Sequence, residues 1–203
     1  MTDETPVPRT RLRTIVVFAM FFAVLGVVAL FGYYITFSRP VTTVIVVRHA
    51  EKNIEPANPD PDLSPAGQAR AQELARMFGD TGVNALYATQ FKRTQQTVKP
   101  LGDRLGLTVN VVEAKNTQEL IRQILTTRRG QTIVVAGHNN TAPEIVKALG
   151  GGDFPVIPEN EFDNMFIVTV YRFGRAKVVK IKYGSVSPVA GGSGTMVPTM
   201  APK

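Results

Sequence analysis

Two histidines and two arginines are the residues of this chain whose types could do chemistry together. His49 and His138 are its only histidines, and each stands at the end of an apolar, β-branched run, His49 directly after Arg48. Arg93 lies in a polar stretch, "ATQFKRTQQT", that ends another such run. Arginine forks onto phosphate oxygens, a neutral imidazole can attack phosphorus, and a protonated one can stabilise transition-state charge. The set favours phosphoryl transfer, with the two histidines in different protonation states.

The composition excludes several other kinds of chemistry. The chain has no cysteine, which excludes a disulfide framework, a thiol nucleophile and cysteine-based metal sites. Its formal charge is +7, but the basic residues are scattered and no nucleic-acid-binding motif is present, so we predict no nucleic-acid partner. Positive side chains can neutralise a phosphate by themselves, so we expect neither a metal nor a cofactor.

The elements that must position these residues alternate along the chain. Apolar β-branched runs predict strands, and apolar residues at helical spacing behind Ser64 and Pro65 predict a helix that begins there. Alternation predicts crossover connections and a mostly parallel sheet with helices on both faces, a three-layer α/β/α sandwich. The predicted strands are 42–47, 83–89, 107–112, 131–137 and a closing hairpin of 165–173 and 176–184 around Gly174; the predicted helices are 64–78, 90–106, 116–130 and 141–150.

Arg48, His49, Arg93 and His138 all follow predicted strands. Open α/β sheets bind ligands at the carboxyl ends of their strands, so we expect these four side chains to meet at one edge of the sheet. Helix N-termini at that edge would add backbone donors for a phosphate. Local caps are also predicted: Asn116 with Glu119 fits a capping box, and Thr141 is a candidate N-cap of the last helix.

An uncharged segment precedes the predicted sandwich. Residues 14–38 contain no charged side chain, and about 20 apolar residues suffice to cross a bilayer. Arg9, Arg11 and Arg13 precede the segment, and such charges favour the cytoplasmic side. We predict a cytoplasmic N-terminus over residues 1–13, a transmembrane signal-anchor helix over 14–38, and a single-pass membrane protein whose catalytic domain is extracytoplasmic.

Two alternatives to an uncleaved anchor are weaker. A cleaved signal peptide has a shorter apolar region and a small-residue cleavage site, and a buried helix of a soluble protein keeps a polar face. At the other end of the chain, residues 185–203 are rich in Gly, Ser, Pro and Thr, and they predict a disordered tail.

Four segments together resemble a known family. In order and spacing, "VVRHAEK", "LSPAGQARAQELA", "ALYATQFKRTQQTVKPL" and "VVAGHNNT" resemble the histidine phosphatase superfamily, also called phosphoglycerate-mutase-like. The resemblance runs from about residue 43 to residue 183 and assigns residues 41–184 to one such domain. The family usually has Gly after its nucleophile, and this chain has Ala50, an RHA variant of the RHG motif.

The resemblance implies a site and a reaction. His49 would be the nucleophile that becomes a phosphohistidine, and Arg48, Arg93 and His138 would complete the phosphate pocket. The usual reaction is hydrolysis of phosphomonoesters, and some members instead act as mutases or remove phosphate from phosphohistidine proteins.

The acid that protonates the leaving oxygen is less clearly marked. Family members often carry Glu or Asp after the third strand, and Glu113, just after "NVV", is the preferred candidate. Glu51, Glu119 and Asp163 are alternatives, although capping would also explain Glu119.

Several functions are compatible with these observations. The first is a membrane-anchored, metal-independent phosphatase; the others are a catalytically weak or inactive phospho-ligand binding module, a phosphohistidine-protein phosphatase, a membrane scaffold protein and a mutase. Only Arg39, Pro40 and Val41 separate the apolar segment from the first strand, which favours a phosphorylated envelope lipid or glycan as substrate besides a phosphorylated small molecule. The oligomeric state does not follow from the sequence.

Overall fold

The computed structural model describes residues 9–37, 41–171 and 175–187, and the chain divides into two units, one up to Arg39 and one from Pro40. The first unit is a single helix, α1, Arg9–Phe37. Its stretch Arg13–Ile35 is long and apolar enough to cross a membrane, and none of it is buried. An exposed helix that is apolar on every side is typical of a membrane span, although a signal sequence has the same composition.

The second unit alternates strands and helices as the sequence predicts, with ends that move by a few residues. It contains β1 (Thr42–Arg48), α2 (Pro65–Phe78), β2 (Val83–Thr89), α3 (Lys92–Leu105), β3 (Val109–Val112), α4 (Thr117–Thr127), β4 (Thr132–Gly137), α5 (Thr141–Ala148), β5 (Asn164–Val170) and β6 (Ala176–Lys182).

The strands form one sheet in the order β3-β2-β4-β1-β5-β6. The first four are parallel to one another, while β5 is antiparallel to β1 and β6 is antiparallel to β5. The mostly parallel sheet and the closing hairpin are therefore confirmed. The turn of the hairpin at Gly174 lies outside the described residues. β1, which leads to the predicted nucleophile, lies inside the sheet between β4 and β5.

Apolar cores cover both faces of the sheet, which confirms the three-layer α/β/α sandwich. Successive residues of β1 point to opposite faces, so Val44 and Val46 enter one core while Ile45 and Val47 enter the other. The first core contains residues of α4 and α5, the second residues of α2 and α3. Both sets are almost fully buried: Ile121, Ile124, Ile145 and Val146 in the first, Leu74, Val98 and Leu101 in the second.

Two of the predicted helix ends are confirmed, the start of α2 and the end of α3. Ser64 is the N-cap of α2, and its hydroxyl accepts a hydrogen bond from Gly67 N at 3.2 Å. Gly106 ends α3 in the left-handed conformation, with φ of 65°, which favours glycine because it has no Cβ.

Two predicted caps are wrong. Asn116 precedes α4, but its side chain makes no capping hydrogen bond. The other half of the capping box is also absent, because Asn116 N donates to Glu113 O at 2.8 Å and the Glu119 carboxylate is paired with Arg122 on the same helix. Asn140 occupies the N-cap position of α5. Thr141 is the first helical residue, and its hydroxyl accepts a hydrogen bond from His138 N at 2.8 Å.

The folded part extends slightly past the predicted domain end at residue 184. The Ser187 hydroxyl accepts hydrogen bonds from Phe162 N and Asp163 N, and Ser187 is buried. The predicted start of the tail at residue 185 is therefore too early by three residues, because Ser187 has polar partners in the segment before β5. Residues 188–203 lie outside the described residues, as do residues 1–8.

Candidate active site

The carboxyl ends of the parallel strands bring the four predicted residues together. Arg48 ends β1, and His49 N donates to Gly137 O at 2.8 Å, which continues the β1–β4 ladder by one residue. His138 follows β4, and Arg93 lies in the first turn of α3 behind β2. All four line one open cleft of about 470 Å³. The four side chains therefore meet at this edge of the sheet, as the sequence predicts.

His49 is held in the state that a nucleophile needs. Its side chain is buried, and Nδ1 lies 2.8 Å from the carbonyl oxygen of Ala50. A carbonyl only accepts hydrogen bonds, so Nδ1 carries the hydrogen and Nε2 keeps its lone pair. Burial, with the nearby charges of Arg48 and Arg93, lowers the pKa of His49 to about 3. The ring is therefore neutral at neutral pH, and Nε2 is its nucleophilic atom.

The backbone behind His49 is fixed on both sides of Ala50. Ala50 N donates to Thr97 Oγ1 at 2.9 Å, and the same hydroxyl donates to Arg93 O at 2.7 Å. The Ala50 methyl group is fully buried against Leu63 and Ala71. No non-glycine residue in the described ranges has a positive φ. Alanine therefore fits at this position without backbone strain.

Arg48 is buried and faces the segment between α5 and β5. Its Nη1 donates to the carbonyl oxygens of Pro158 (2.7 Å), Glu159 (2.9 Å) and Glu161 (2.9 Å), and its Nη2 donates to Glu159 Oε2 at 3.0 Å. The guanidinium stacks 4.2 Å from the centre of the Phe162 ring. Its Nε, in contrast, is buried and has no hydrogen-bond partner among the described residues. A buried donor without a partner is rare in native proteins and marks a place for a ligand or water.

Arg93 repeats this arrangement from the other side of the cleft. Its guanidinium lies 4.4 Å from the centre of the Phe91 ring, and Nη1 is 3.4 Å from Asp60 Oδ1. Asp60 also accepts from Lys92 N at 3.1 Å, which ties its loop to the start of α3. Arg93 Nε is the second buried donor of the cleft that finds no partner within the described ranges. The cleft thus presents two spare guanidinium N–H groups to an anion.

His138 completes the cleft. Its Nε2 lies 3.0 Å from Thr89 Oγ1, and its ring centre is 5.4 Å from that of His49. Burial and the charges of Arg93 and Arg48 lower the pKa of His138 to about 4. Both imidazoles are therefore neutral at neutral pH, whereas the sequence predicts one protonated ring. The difference arises because burial and the positive charges of the two arginines disfavour a second positive charge on either ring.

Comparisons with known proteins agree with this geometry. A model of the histidine phosphatase superfamily (branch 1) matches residues 44–116, which include Arg48, His49 and Arg93. This match supports the resemblance to the histidine phosphatase superfamily that the four sequence segments carry. In sequence, no curated protein matches it.

Solved structures of phosphatases share the fold. The protein histidine phosphatase SixA complexed with tungstate is 19% identical, with a TM-score of 0.58 over 69% of this chain and 96% of that one. A mycobacterial glucosyl-3-phosphoglycerate phosphatase is 12% identical, with a TM-score of 0.55 over 70% and 98%. The superfamily and these neighbours together support a phosphatase activity.

None of the four predicted general acids is among the residues that line the cleft. The exposed Glu113 borders a separate cavity of about 20 Å³, although its neighbours Ala114 and Lys115 do line the cleft. Glu119 lies on α4, where hydrogen bonds from Arg122 and Gln123 lower its pKa to about 2.

The other two predicted acids have structural partners. Arg70 forks onto the Glu51 carboxylate, with Nη2 2.7 Å from Oε1, and also donates to Tyr183 O and Ser185 O. Burial acts to raise the pKa of Asp163, but hydrogen bonds from Lys182 and Ser187 hold it below its ordinary value. Both carboxylates are therefore held in charge pairs, and neither is among the residues that line the cleft.

Other residues also line the cleft. Lys52 and Asn139 flank the motif residues in the sequence, where surface solvation is the simpler interpretation. The remaining cleft residues are Phe91, Ala114, Lys115, Asn140, Thr141 and Glu159. Glu159 is the one acidic residue among the cleft-lining residues of the described chain. It follows no strand and sits in an irregular segment, so no periodicity marks it. Within the described residues, no group of three or more His, Cys, Asp or Glu side chains could hold a metal ion.

Proposed function

We propose that this protein is a membrane-anchored phosphatase that hydrolyses phosphomonoesters through a phosphohistidine intermediate on His49. One observation carries the proposal: a buried imidazole with a free Nε2 shares a cleft with two buried guanidinium nitrogens that lack partners. A nucleophile and an anion site are thereby next to each other, which phosphoryl transfer requires.

The arginines would hold the phosphate. Arg48 and Arg93 offer Nε–H donors in fixed positions, because each guanidinium is stacked on an aromatic ring and paired with a carboxylate. Preorganised donors of this kind stabilise the charge of the transferring phosphoryl group, and removing one typically slows a reaction about 10²- to 10³-fold.

The two histidines would have different roles in the reaction. His49 Nε2 attacks phosphorus and becomes phosphorylated, and water then attacks the phosphohistidine to release phosphate. His138 lies on the other side of the same cleft and donates a hydrogen bond to the transferring oxygens. A bound phosphate dianion would offset the charges of the arginines and so raise the proton affinity of His138, which gives the two histidines different protonation states.

The reaction would need no metal ion. Two arginines and a protonated histidine supply the positive charge that a metal provides in other phosphatases. We therefore expect activity in the presence of a chelator.

The membrane anchor is α1. Its apolar stretch is long enough to span, and three arginines at the N-terminal side favour a cytoplasmic N-terminus and an extracytoplasmic catalytic domain. The linker from Phe37 to Thr42 is short, so an envelope lipid or glycan phosphate is a candidate substrate beside soluble phosphate esters.

A phosphohistidine protein is the second candidate substrate. SixA, whose fold the chain shares, acts on protein phosphohistidine by its name. The cleft is open, which suits a protein-bound phosphate.

Hydrolysis of p-nitrophenyl phosphate by the full chain in detergent tests the proposal. We expect chelator-resistant turnover and an acid-labile phosphoenzyme, both lost in His49→Ala, with a drop of at least about 10³-fold. The fold should persist, because a side chain at a strand end adds little packing. Turnover by His49→Ala near the wild-type rate would contradict the nucleophile, and phosphate binding without turnover in the wild type would instead support a binding module.

A further inference from the structure

Glu159 is brought to the cleft by contacts of its own backbone. Arg48 donates to the carbonyl oxygens of Pro158, Glu159 and Glu161. Ile157 N donates to Asn139 O at 2.9 Å. Ile157 is buried in the core beneath. The position of residue 159 is thus fixed by the same arginine that belongs to the proposed phosphate site.

The carboxylate of Glu159 bridges two residues of the cleft. Oε1 accepts from Asn139 Nδ2 at 2.6 Å, and Oε2 accepts from Arg48 Nη2 at 3.0 Å. The side chain is otherwise open to solvent, with 80% of its surface exposed. Solvent therefore reaches the side chain while its tip stays beside Arg48.

A phosphate and this carboxylate compete for one edge of Arg48. Backbone carbonyl oxygens occupy Nη1, which leaves Nε and Nη2 of Arg48 for a phosphate. Nη2 already donates to the Glu159 carboxylate. A phosphate dianion there places like charges side by side. Their repulsion favours a Glu159 carboxyl that has taken a proton from solvent, and that carboxyl then faces the ester as a donor.

We propose that Glu159 is the general acid and base of this site, a proposal that rests on the phosphatase function proposed above. In the first step His49 Nε2 bonds to phosphorus, the bond from phosphorus to the ester oxygen breaks, and that oxygen leaves with the proton of Glu159. In the second step the Glu159 carboxylate takes a proton from the attacking water and the water oxygen bonds to phosphorus. The phosphorus–nitrogen bond breaks, its electron pair returns to His49 Nε2, and inorganic phosphate leaves. Asn139 orients the carboxylate in both steps.

The competing explanation is that Glu159 only clamps Arg48. The two roles differ in their dependence on the leaving group. A clamp affects every substrate alike, because it acts on the phosphate. An acid matters most for a poor leaving group, since a good one departs as a stable anion without a proton.

The experiment compares two aryl phosphates of nearly the same shape on the full chain. p-Nitrophenolate leaves readily, and phenolate does not. In Glu159→Gln, which keeps an oxygen to accept from Arg48, we expect kcat/KM for phenyl phosphate to fall about 10²-fold and kcat/KM for p-nitrophenyl phosphate to fall less than about 3-fold. We compare kcat/KM because it reports the step in which the leaving group departs and not the later hydrolysis of the phosphohistidine, which is common to both substrates. The alkaline limb of the pH profile for phenyl phosphate should also disappear.

Glu113→Gln and Glu144→Gln serve as comparisons. Glu113 is the acid expected from the family pattern, and Glu144 is an exposed acid on α5, the helix that begins at the cleft. We expect neither variant to change the ratio of the two rates. Equal losses on both substrates in Glu159→Gln, or a selective loss in Glu113→Gln, would overturn the proposal. A wild-type protein inactive on both substrates would refute the phosphatase function itself, and the assignment of Glu159 with it.

Discussion

The two sides of His49 differ in how completely their polar groups are paired. Behind it lies the back wall, which we define as Ala50 and Glu51 with their partners. There Ala50 N meets Thr97, Glu51 O accepts from Ser64 N at 2.9 Å, and Arg70 forks onto the Glu51 carboxylate. In front lies the cleft, where Arg48 Nε and Arg93 Nε are buried without partners among the described residues.

The comparison separates the polar groups that stabilise the fold from those that are available to bind a ligand. Buried polar groups normally find partners in the folded chain, and the back wall follows this rule closely. The cleft departs from it with two cationic donors at the same place. A departure of this kind is stable only when neighbouring contacts hold the groups in position, which here are the aromatic rings and carboxylates around each guanidinium. The back wall determines the position of His49, and the cleft retains the capacity to bind.

Removing Arg70 breaks the back wall and has the largest expected effect. Arg70→Met leaves the Glu51 carboxylate, 21% exposed, without its buried partner and frees two backbone carbonyls. We expect the free energy of unfolding to fall by about 3 kcal/mol, measured by urea denaturation. Arg122→Met is the matched control: its partner Glu119 lies on the same exposed helix surface, and such solvent-screened pairs contribute little to stability. Equal effects in the two variants would contradict the role of Arg70.

Replacing Arg93 breaks the cleft and should change rate without changing stability. Arg93→Lys keeps the charge but removes the Nε–H and the planar fork. We expect kcat/KM to fall about 10²-fold, equivalent to about 2.7 kcal/mol of transition-state stabilisation, and the melting temperature to stay within a few degrees. Lys99→Arg, on the exposed surface of the same helix, should leave both unchanged. Near-normal kinetics of Arg93→Lys would remove Arg93 from the phosphate site.

The pH dependence of stability tests whether the fold keeps both imidazoles of the cleft neutral. Folding lowers the pKa of His49 to about 3 and of His138 to about 4 from 6.5. Below pH 6.5 the unfolded chain therefore binds protons that the folded chain does not, so stability is full above 6.5 and is lost as pH falls toward 4. The slope is at most about 1.4 kcal/mol per pH unit for each histidine.

A double variant isolates this contribution. Carboxylates also titrate below pH 6, but they do so equally in the wild type and in His49→Ala/His138→Asn. We expect the wild type to lose more stability than the double variant between pH 7 and pH 4.5 in urea denaturation. Parallel curves would mean that the two rings are not held neutral by the fold.

The sequence predicts the fold and the four strand-end residues because both depend on local patterns. Apolar runs, the cap at Ser64 and the glycine at 106 act over a few residues, and the carboxyl ends of parallel strands meet by topology. The same logic fails at Asn116, where Arg122 holds the Glu119 carboxylate that a capping box needs. A pairing within a helix here outweighs a cap that the spacing alone favours.

The acidic residues could not be sorted from the sequence. Glu51 is next to His49 in the chain, yet it turns to Arg70, 19 residues later. Glu159 is 111 residues from Arg48, yet their side chains touch. Such contacts depend on how an irregular segment packs, and periodicity carries no information about it. The match to a family motif places an acid by its distance along the chain, which does not determine whether it reaches the cleft.

The central place of β1 in the sheet has a consequence for the synthesis of the protein. β1 is the first strand of the domain to be made, but its neighbours β4 and β5 are made late, and the carbonyl groups that orient Arg48 lie 110 to 113 residues after it. The apolar residues of β1 therefore have no neighbouring strand to pair with while most of the domain is translated. An unpaired apolar strand is prone to aggregate during that time. The cleft is assembled only near the end of the chain, so a nascent or truncated protein cannot act on phosphate before its folding is nearly complete.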